Sequence, residues 1–238
     1  MGAAEPPEAE APAEVAPEPA QPAPQPPPAA APTPAPAPSP AAHFLERLRR
    51  QDGESLKRAD FEEAAHRLGC EWEFIAAVAI KESRRLGFAD DGRPIIRFEP
   101  HLFNRITDNR FVPEHGEMIR RAFSRQADRW THFAQVYALD PEAALRSASF
   151  GMFQVLGDNY PQMGMANAHD YVAALARSEK DQLAAFEAYV RRRNLLDEMR
   201  DKNWAGFARV YNGPAYQQNQ YDTLLERHFN ELKASPIA

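Results

Sequence analysis

Two glutamates, Glu82 and Glu99, are the side chains of this sequence best placed for proton chemistry. Glu82 closes the run EWEFIAAVAIKE, in which Trp72, Ile75, Val78 and Ala79 recur at i, i+3, i+6 and i+7, the spacing of a buried helical face. It lies three, four and seven residues after Ala79, Val78 and Ile75 and so continues that face. A carboxyl group set against alkyl side chains resists ionisation, because a low-dielectric wall disfavours its charged form. A general acid working near neutral pH needs that property. The competing reading is an amphipathic edge residue, solvated or paired with Arg84 or Arg85. Glu99 leaves PIIRF, the best strand candidate in the chain, immediately before Pro100, an environment different enough to separate the two carboxyl pKa values. Asp90 and Asp91 are rival second carboxylates, although a DDG turn is ordinarily solvated turn chemistry.

The elements that must position these groups read as mostly helical. Residues 43–58 suggest a short amphipathic helix broken at Asp52-Gly53. Asp60 then caps a helix, with Glu63 at the capping-box position and Gly69 as its stop. The Glu82 helix runs from about Glu71 to Ser83, and short strands flank the Asp90-Asp91-Gly92 turn. HLFNRI predicts a brief helix, 108–116 a loop, and 117–137 a continuous helix. Asp140-Pro141 is a clear helix start, a capping side chain followed by proline at the first helical position. SFGMFQVLG reads as central core, and DNYPQMGM as a loop. Helices at about 169–177, 179–193, 203–210 and 215–233 close the chain, the second capped by Ser178 with Asp181. The expected fold class is α+β, a predominantly helical domain with one small β region.

Composition divides the chain. Fifteen of its 22 prolines fall in positions 1–40, among Ala, Glu and Gln with almost nothing large and apolar to bury. Residues 1–42 are therefore expected to be a disordered Pro/Ala-rich linker, and 43–238 a single domain large enough for a substantial core. The linker's charges are Glu5, Glu8, Glu10, Glu14 and Glu18, so removing their −5 from the net −6 leaves −1 for residues 41–238. Without a basic excess there is no argument for nucleic acid, although arginines cluster at 47–50, 120–125 and 191–193. Cys70 stands alone, which rules out an internal disulfide and suggests a buried structural thiol. The histidines lack metal-ligand spacing, so no metal and no cofactor is expected. No apolar run is long enough for membrane insertion, and no Sec-type signal peptide is legible at the N-terminus. Synthesis in the cytoplasm, with release by another route, is the expectation.

Three stretches together carry a family resemblance: KES at 81–83 with RPIIRFEPHLF at 93–103, ASFGMFQVLGDNY at 148–160, and WAGFARVYNGPAYQQNQYD at 204–222. Their combination resembles the N-acetylmuramidase family of bacteriophage endolysins, prophage lysins and bacterial wall-degrading proteins. More distantly it is similar to goose-type lysozymes and lytic transglycosylases. The resemblance covers about residues 55–235 and implies a lysozyme-like fold acting on peptidoglycan glycan strands. It assigns Glu82 as the general acid that protonates the oxygen between N-acetylmuramic acid and N-acetylglucosamine. Glu99 becomes the second acidic position, and Gln154, Tyr211 and Asn212 match groove-lining positions. Hydrolysing a glycoside usually takes one protonated and one ionised carboxyl group on opposite sides of the bond. Tyr160 and His101 join the candidate substrate-binding residues, as a sugar-stacking ring and a partner of Glu99.

Each supporting residue has a structural alternative. Gln154 could satisfy backbone groups where a core helix bends, and Gly151 and Gly157 could mark tight packing. Tyr160, Tyr211 and Tyr216 could be core or rim rings. Asn212-Gly213-Pro214 is first a turn, and His101 could simply be solvated. Three functional classes follow: a muramidase, a lytic transglycosylase, or a non-catalytic peptidoglycan-binding module. A monomer acting in the periplasm or cell wall is expected, either in phage lysis or in antagonism between bacteria. The spacer suits attachment to a delivery component, and a protein made for a rival cell would imply a cognate immunity protein.

Overall fold

In the computed structural model, which describes residues 40–235, the helix that begins at Trp72 is buried all round. Phe74, Ile75, Ala76, Ala77, Val78 and Ala79 are all fully buried, so the helix has no solvent face until its last turn. The sequence suggested one buried face; the structure wraps every side. The Pro/Ala-rich linker lies outside the described residues, except that the backbone of 40–42 already belongs to the first helix.

Around that helix the order is α1 (Pro40–Arg47), α2 (Arg58–Leu68), α3 (Trp72–Ser83), β1 (Ile96–Phe98), α4 (Pro100–Ile106), α5 (Val112–Ile119), α6 (Gln126–Leu139) and α7 (Pro141–Arg146). There follow β2 (Ala148–Phe150), β3 (Val155–Leu156), a 3-10 segment (Gly157–Met163), α8 (Ala168–Leu175), α9 (Glu179–Arg192), α10 (Leu196–Asp201), α11 (Trp204–Tyr211) and α12 (Tyr221–Ala234). The central helix α3 packs most extensively against α12, the last element, and then against α2. Among the described residues no helix is long and apolar enough to cross a membrane.

Local signals placed several boundaries. The Asp140 carboxylate accepts a hydrogen bond from the Ala143 amide at 3.0 Å, and Ser178 caps α9 by accepting from Asp181 N at 3.0 Å. Gly69 ends α2 at φ +71°. Other boundaries moved. Asp60 is the third residue of α2, not its cap, and reaches back to accept from Lys57 N at 2.7 Å. Glu63 instead pairs with Arg67 at 2.7 Å. The expected loop at 108–116 holds most of α5, which starts with Pro113 in its first turn. The expected continuous helix 117–137 is broken between Ile119 and Gln126. Helix α10 had no expectation of its own, and α12 starts at Tyr221, later than 215.

The larger correction concerns the sheet. Its strands run antiparallel in the order β1-β2-β3, pairing Arg97 with Ser149 and Ser149 with Leu156. Strands β2 and β3 both come from ASFGMFQVL, the stretch whose Gln154 could have sat at a bend in a core helix. Around the turn near the DDG sequence there is only an isolated bridge, Phe88 to Pro94. Gly151 and Gln154 at φ +74° and +49° reverse the chain within four residues, a conformation that a helix does not permit. A Cβ on Gly157 would lie 1.9 Å from the Leu145 carbonyl oxygen, so only glycine lets β3 lead into the 3-10 segment there. Alternation sends Ile96, Phe150 and Val155 into the core. The Arg97, Ser149 and Leu156 row lies on the more exposed face. Cys70 is half-buried, and burial pushes its thiol up to about 12.

Candidate active site

Glu82 occupies the last turn of α3, where the buried helix first meets a less buried surface. Tyr221, the first residue of α12 and fully buried, donates a hydrogen bond from Oη to Glu82 Oε1. The close packing of α12 on α3 is what brings these two residues together. Burial raises the Glu82 carboxyl above its ordinary value of 4.5, against the opposing pull of the Tyr221 bond and the charges of Lys81 and Arg97. The negative end of the α3 dipole disfavours an anion at this position as well.

The wall behind Glu82 is aromatic. Tyr211 lies between Tyr189 and Tyr221, with ring centroids 5.3 Å and 6.3 Å away, and stacks on Phe207 at 5.0 Å. The phenols of Tyr211 and Tyr221 are both held well above 10, chiefly by burial and then by the Glu82 charge. They therefore act as neutral hydrogen-bond donors. Lys81 Nζ sits over the Tyr221 ring at 4.9 Å, adding a cation beside the carboxyl group.

Glu99 follows β1 and precedes Pro100 at the start of α4, with its backbone N–H donating to the Ser147 carbonyl at 2.8 Å. Its half-exposed carboxylate pairs with Arg97 Nε at 3.2 Å. Arg97 thus forms an ion pair with one glutamate while its charge acts on the other, which makes it the electrostatic link between them. His101 is the weak member: its side chain is 73% exposed and its Nδ1 is 3.8 Å from Glu99, beyond hydrogen-bond range.

Gln154 Nε2 donates to the carbonyls of Gly151 at 2.8 Å and Ile95 at 3.2 Å, closing the β2–β3 turn against the approach to β1. The helix-bend alternative for Gln154 is replaced by a hairpin, but its backbone-satisfying role is real. The Tyr211 hydroxyl donates to the Phe153 carbonyl at 2.7 Å, so α11 is tied to the same turn and that oxygen is committed. Asn212 ends α11 beside it, half-buried. Tyr160 lies in the 3-10 segment, partly buried and packed against the core. Tyr216 is buried. Asp91, the rival carboxylate, is bound by Arg93 through Nε at 2.6 Å, as turn chemistry requires.

Sequence reasoning missed Tyr221, Lys81, Tyr189 and Arg97. Arg97 alone carried a local signal, since strand alternation puts it on the face opposite Ile96 and Phe98 and two residues before Glu99. Nothing near Tyr221 in sequence indicates that its hydroxyl meets a carboxyl group on α3.

Comparisons with known proteins identify the family and the fold. The family model described as N-acetylmuramidase matches residues 71–233, which span both glutamates and Tyr221. No curated protein matches the chain. Among solved structures, the crystal structure of the Burkholderia AP3 phage endolysin is 32% identical, with a TM-score of 0.67, covering 78% of this chain and 74% of that one. By fold and by family match, the chain belongs to the N-acetylmuramidase family and is a glycoside hydrolase of peptidoglycan.

Proposed function

We propose that the chain cleaves the β-1,4 bond between N-acetylmuramic acid and N-acetylglucosamine, with Glu82 as general acid and Glu99 as the second carboxylate. The observation that carries this reading is the placement of Glu82: buried enough to hold a proton, yet at the end of α3 where the surface opens. Tyr221 occupies Oε1, which leaves Oε2 to carry the proton to the glycosidic oxygen. As that proton leaves, the new carboxylate is met by the Tyr221 hydroxyl and by the charges of Lys81 and Arg97. Glu99, in its solvated ion pair with Arg97, then stabilises oxocarbenium charge or positions the attacking water. Gln154, Tyr211 and Asn212 shape the groove, the first two by holding the hairpin turn, while Tyr160 and His101 border it.

The domain 43–238 acts as a monomer on cell-wall strands from the periplasm, in lysis or in antagonism between bacteria. The segment 1–42 serves as a linker to a delivery partner, and an immunity protein would block the groove. The test is the reducing end released from purified peptidoglycan. Hydrolysis at the proposed bond leaves N-acetylmuramic acid there, and Glu82→Gln abolishes its release. A 1,6-anhydro end, lighter by one water, would instead identify a lytic transglycosylase. N-acetylglucosamine at the reducing end, or full activity in Glu82→Gln, would refute the assignment.

A further inference from the structure

Next to Glu99, and lined by its chain neighbours Arg97, Phe98 and Pro100, lies a cavity of about 180 Å³ of whose cationic rim only Arg97 has a role in the proposed proton transfer. Arg97 of β1, Arg120 and Arg121 after α5, and Arg129 of α6 converge on it over Phe98 and Phe123. No carboxylate lines it. Among the described residues neither Arg120 nor Arg121 has an acidic partner within ion-pair distance, whereas eleven of the 23 arginines do. Arg129 is fixed in place, donating from Nε to the Phe123 carbonyl at 2.8 Å and from Nη1 to the Ile96 carbonyl at 3.3 Å. Residues 41–238 carry a net charge of only −1, by the subtraction of the linker's five glutamates above, so this cluster is a local concentration and not part of a basic protein.

Like charges held together over an apolar floor repel each other, and a concave wall focuses their field outward. An anion in the cavity relieves that repulsion, and guanidinium forks match a carboxylate's two oxygens. The volume is below the range of about 300–1,000 Å³ usual for whole-ligand pockets, so it suits one small acidic group better than a length of sugar chain. Arg97 belongs both to this cavity and to the Glu99 ion pair, so an anion bound here would lie close to Glu99.

We propose that this arginine-rimmed cavity binds a free carboxylate of the wall's peptide stems and so selects strands that still carry them. The proposal rests on the peptidoglycan-cleaving reading above and names what the same groove recognises besides sugar. Two exposed residues, Arg120 and Arg121, make the test clean, because their removal leaves core and glutamates intact. Wild type and Arg120→Ala/Arg121→Ala are compared on purified sacculi and on sacculi whose carboxylates have been converted to neutral methylamides. Sedimentation of Glu82→Gln, with and without the arginine pair, on both preparations reads binding without turnover.

On native sacculi the double variant should cleave roughly tenfold more slowly at limiting wall concentration, with an unchanged rate at saturation and a flatter salt dependence. On amidated sacculi wild type should fall to the level of the double variant, and the variant should lose nothing further. Sedimentation should follow the same pattern. Strands stripped of stems by an amidase, which keep only the lactyl carboxylate, should behave like amidated ones if the stem is the source. Equal cleavage and binding by wild type and double variant on native sacculi would overturn the proposal. So would a loss of the same size on amidated sacculi. Failure of wild type to release any reducing end, with carboxylate-dependent sedimentation intact, would sink the catalytic reading and leave the binding site standing.

Discussion

Replacing Tyr221 with Phe removes one oxygen atom and keeps the ring that Lys81 covers. That oxygen donates to Glu82 Oε1 and favours the ionised form of the glutamate. A hydrogen bond to a charged group contributes about 1.5–3 kcal/mol, and 1.4 kcal/mol is about a factor of ten in an equilibrium. Taking the lower end, loss of the bond raises the ratio of protonated to ionised Glu82 by roughly tenfold at any given pH. The descending alkaline limb of the pH–rate profile, where the general acid loses its proton, should therefore move up by about one pH unit. The plateau should fall, because the carboxylate formed as the proton departs has lost its donor. Initial rates of reducing-end release from cell walls, taken across the full pH range, measure both. A lower plateau with an unmoved alkaline limb would mean that Tyr221 only packs α12 on α3, and the electrostatic account of Glu82 would be wrong.

Glu82→Gln should be inactive but, in neutral and alkaline buffer, more stable than wild type. Burial makes the folded chain hold the Glu82 proton more tightly than the unfolded chain does. The resulting stability is therefore complete below the ordinary value of 4.5 and is lost as pH rises through the folded-state value. Gln does not ionise, so the melting-temperature gain of the variant should grow with pH; a gain independent of pH would contradict the shift. Gly157→Ala pushes a Cβ to 1.9 Å from the Leu145 carbonyl oxygen. It should cost about 1–3 kcal/mol, a melting-temperature drop of roughly 2–12 °C by calorimetry. Gln182 is buried and joins three segments: its Oε1 accepts from Met152 N at 2.7 Å, and its Nε2 donates to the carbonyls of Leu175 at 3.0 Å and Gly87 at 3.3 Å. Gln182→Ala leaves these groups unpaired and should lower the unfolding free energy by about 1–3 kcal/mol, read as a lower urea midpoint with an unchanged m-value. An unaltered midpoint would show that water replaces the amide there.

Much of the chain's architecture was legible one residue at a time. The unbroken apolar run from Trp72 marks α3, the pairs Asp140-Pro141 and Ser178-Asp181 mark helix starts, and Gly69 marks a stop. These signals are visible because they depend on groups within about four residues of each other. The sheet was not legible beyond PIIRF. Strands of two and three residues are too short for alternation to register, and the hairpin depends on Gly151 and Gln154 taking left-handed backbone conformations. The resemblance assigned Tyr211 to the sugar groove, but its hydroxyl is spent on the Phe153 carbonyl, a partner that local sequence does not indicate.

By itself the sequence determined that Glu82 would end an apolar helix, that Glu99 would leave a strand, and which family of wall-cleaving proteins the motifs resemble. The tertiary structure alone decided that Tyr221, 139 residues away in the chain, donates to Glu82. It also decided that Arg97 links the two carboxylates and that four arginines from three segments ring one cavity. The reason is physical. Helix periodicity and capping are local energies, recorded in neighbouring residues. A carboxyl group's protonation and an anion site's field are sums over whatever the folded chain brings within a few ångströms, and those groups lie far apart in sequence.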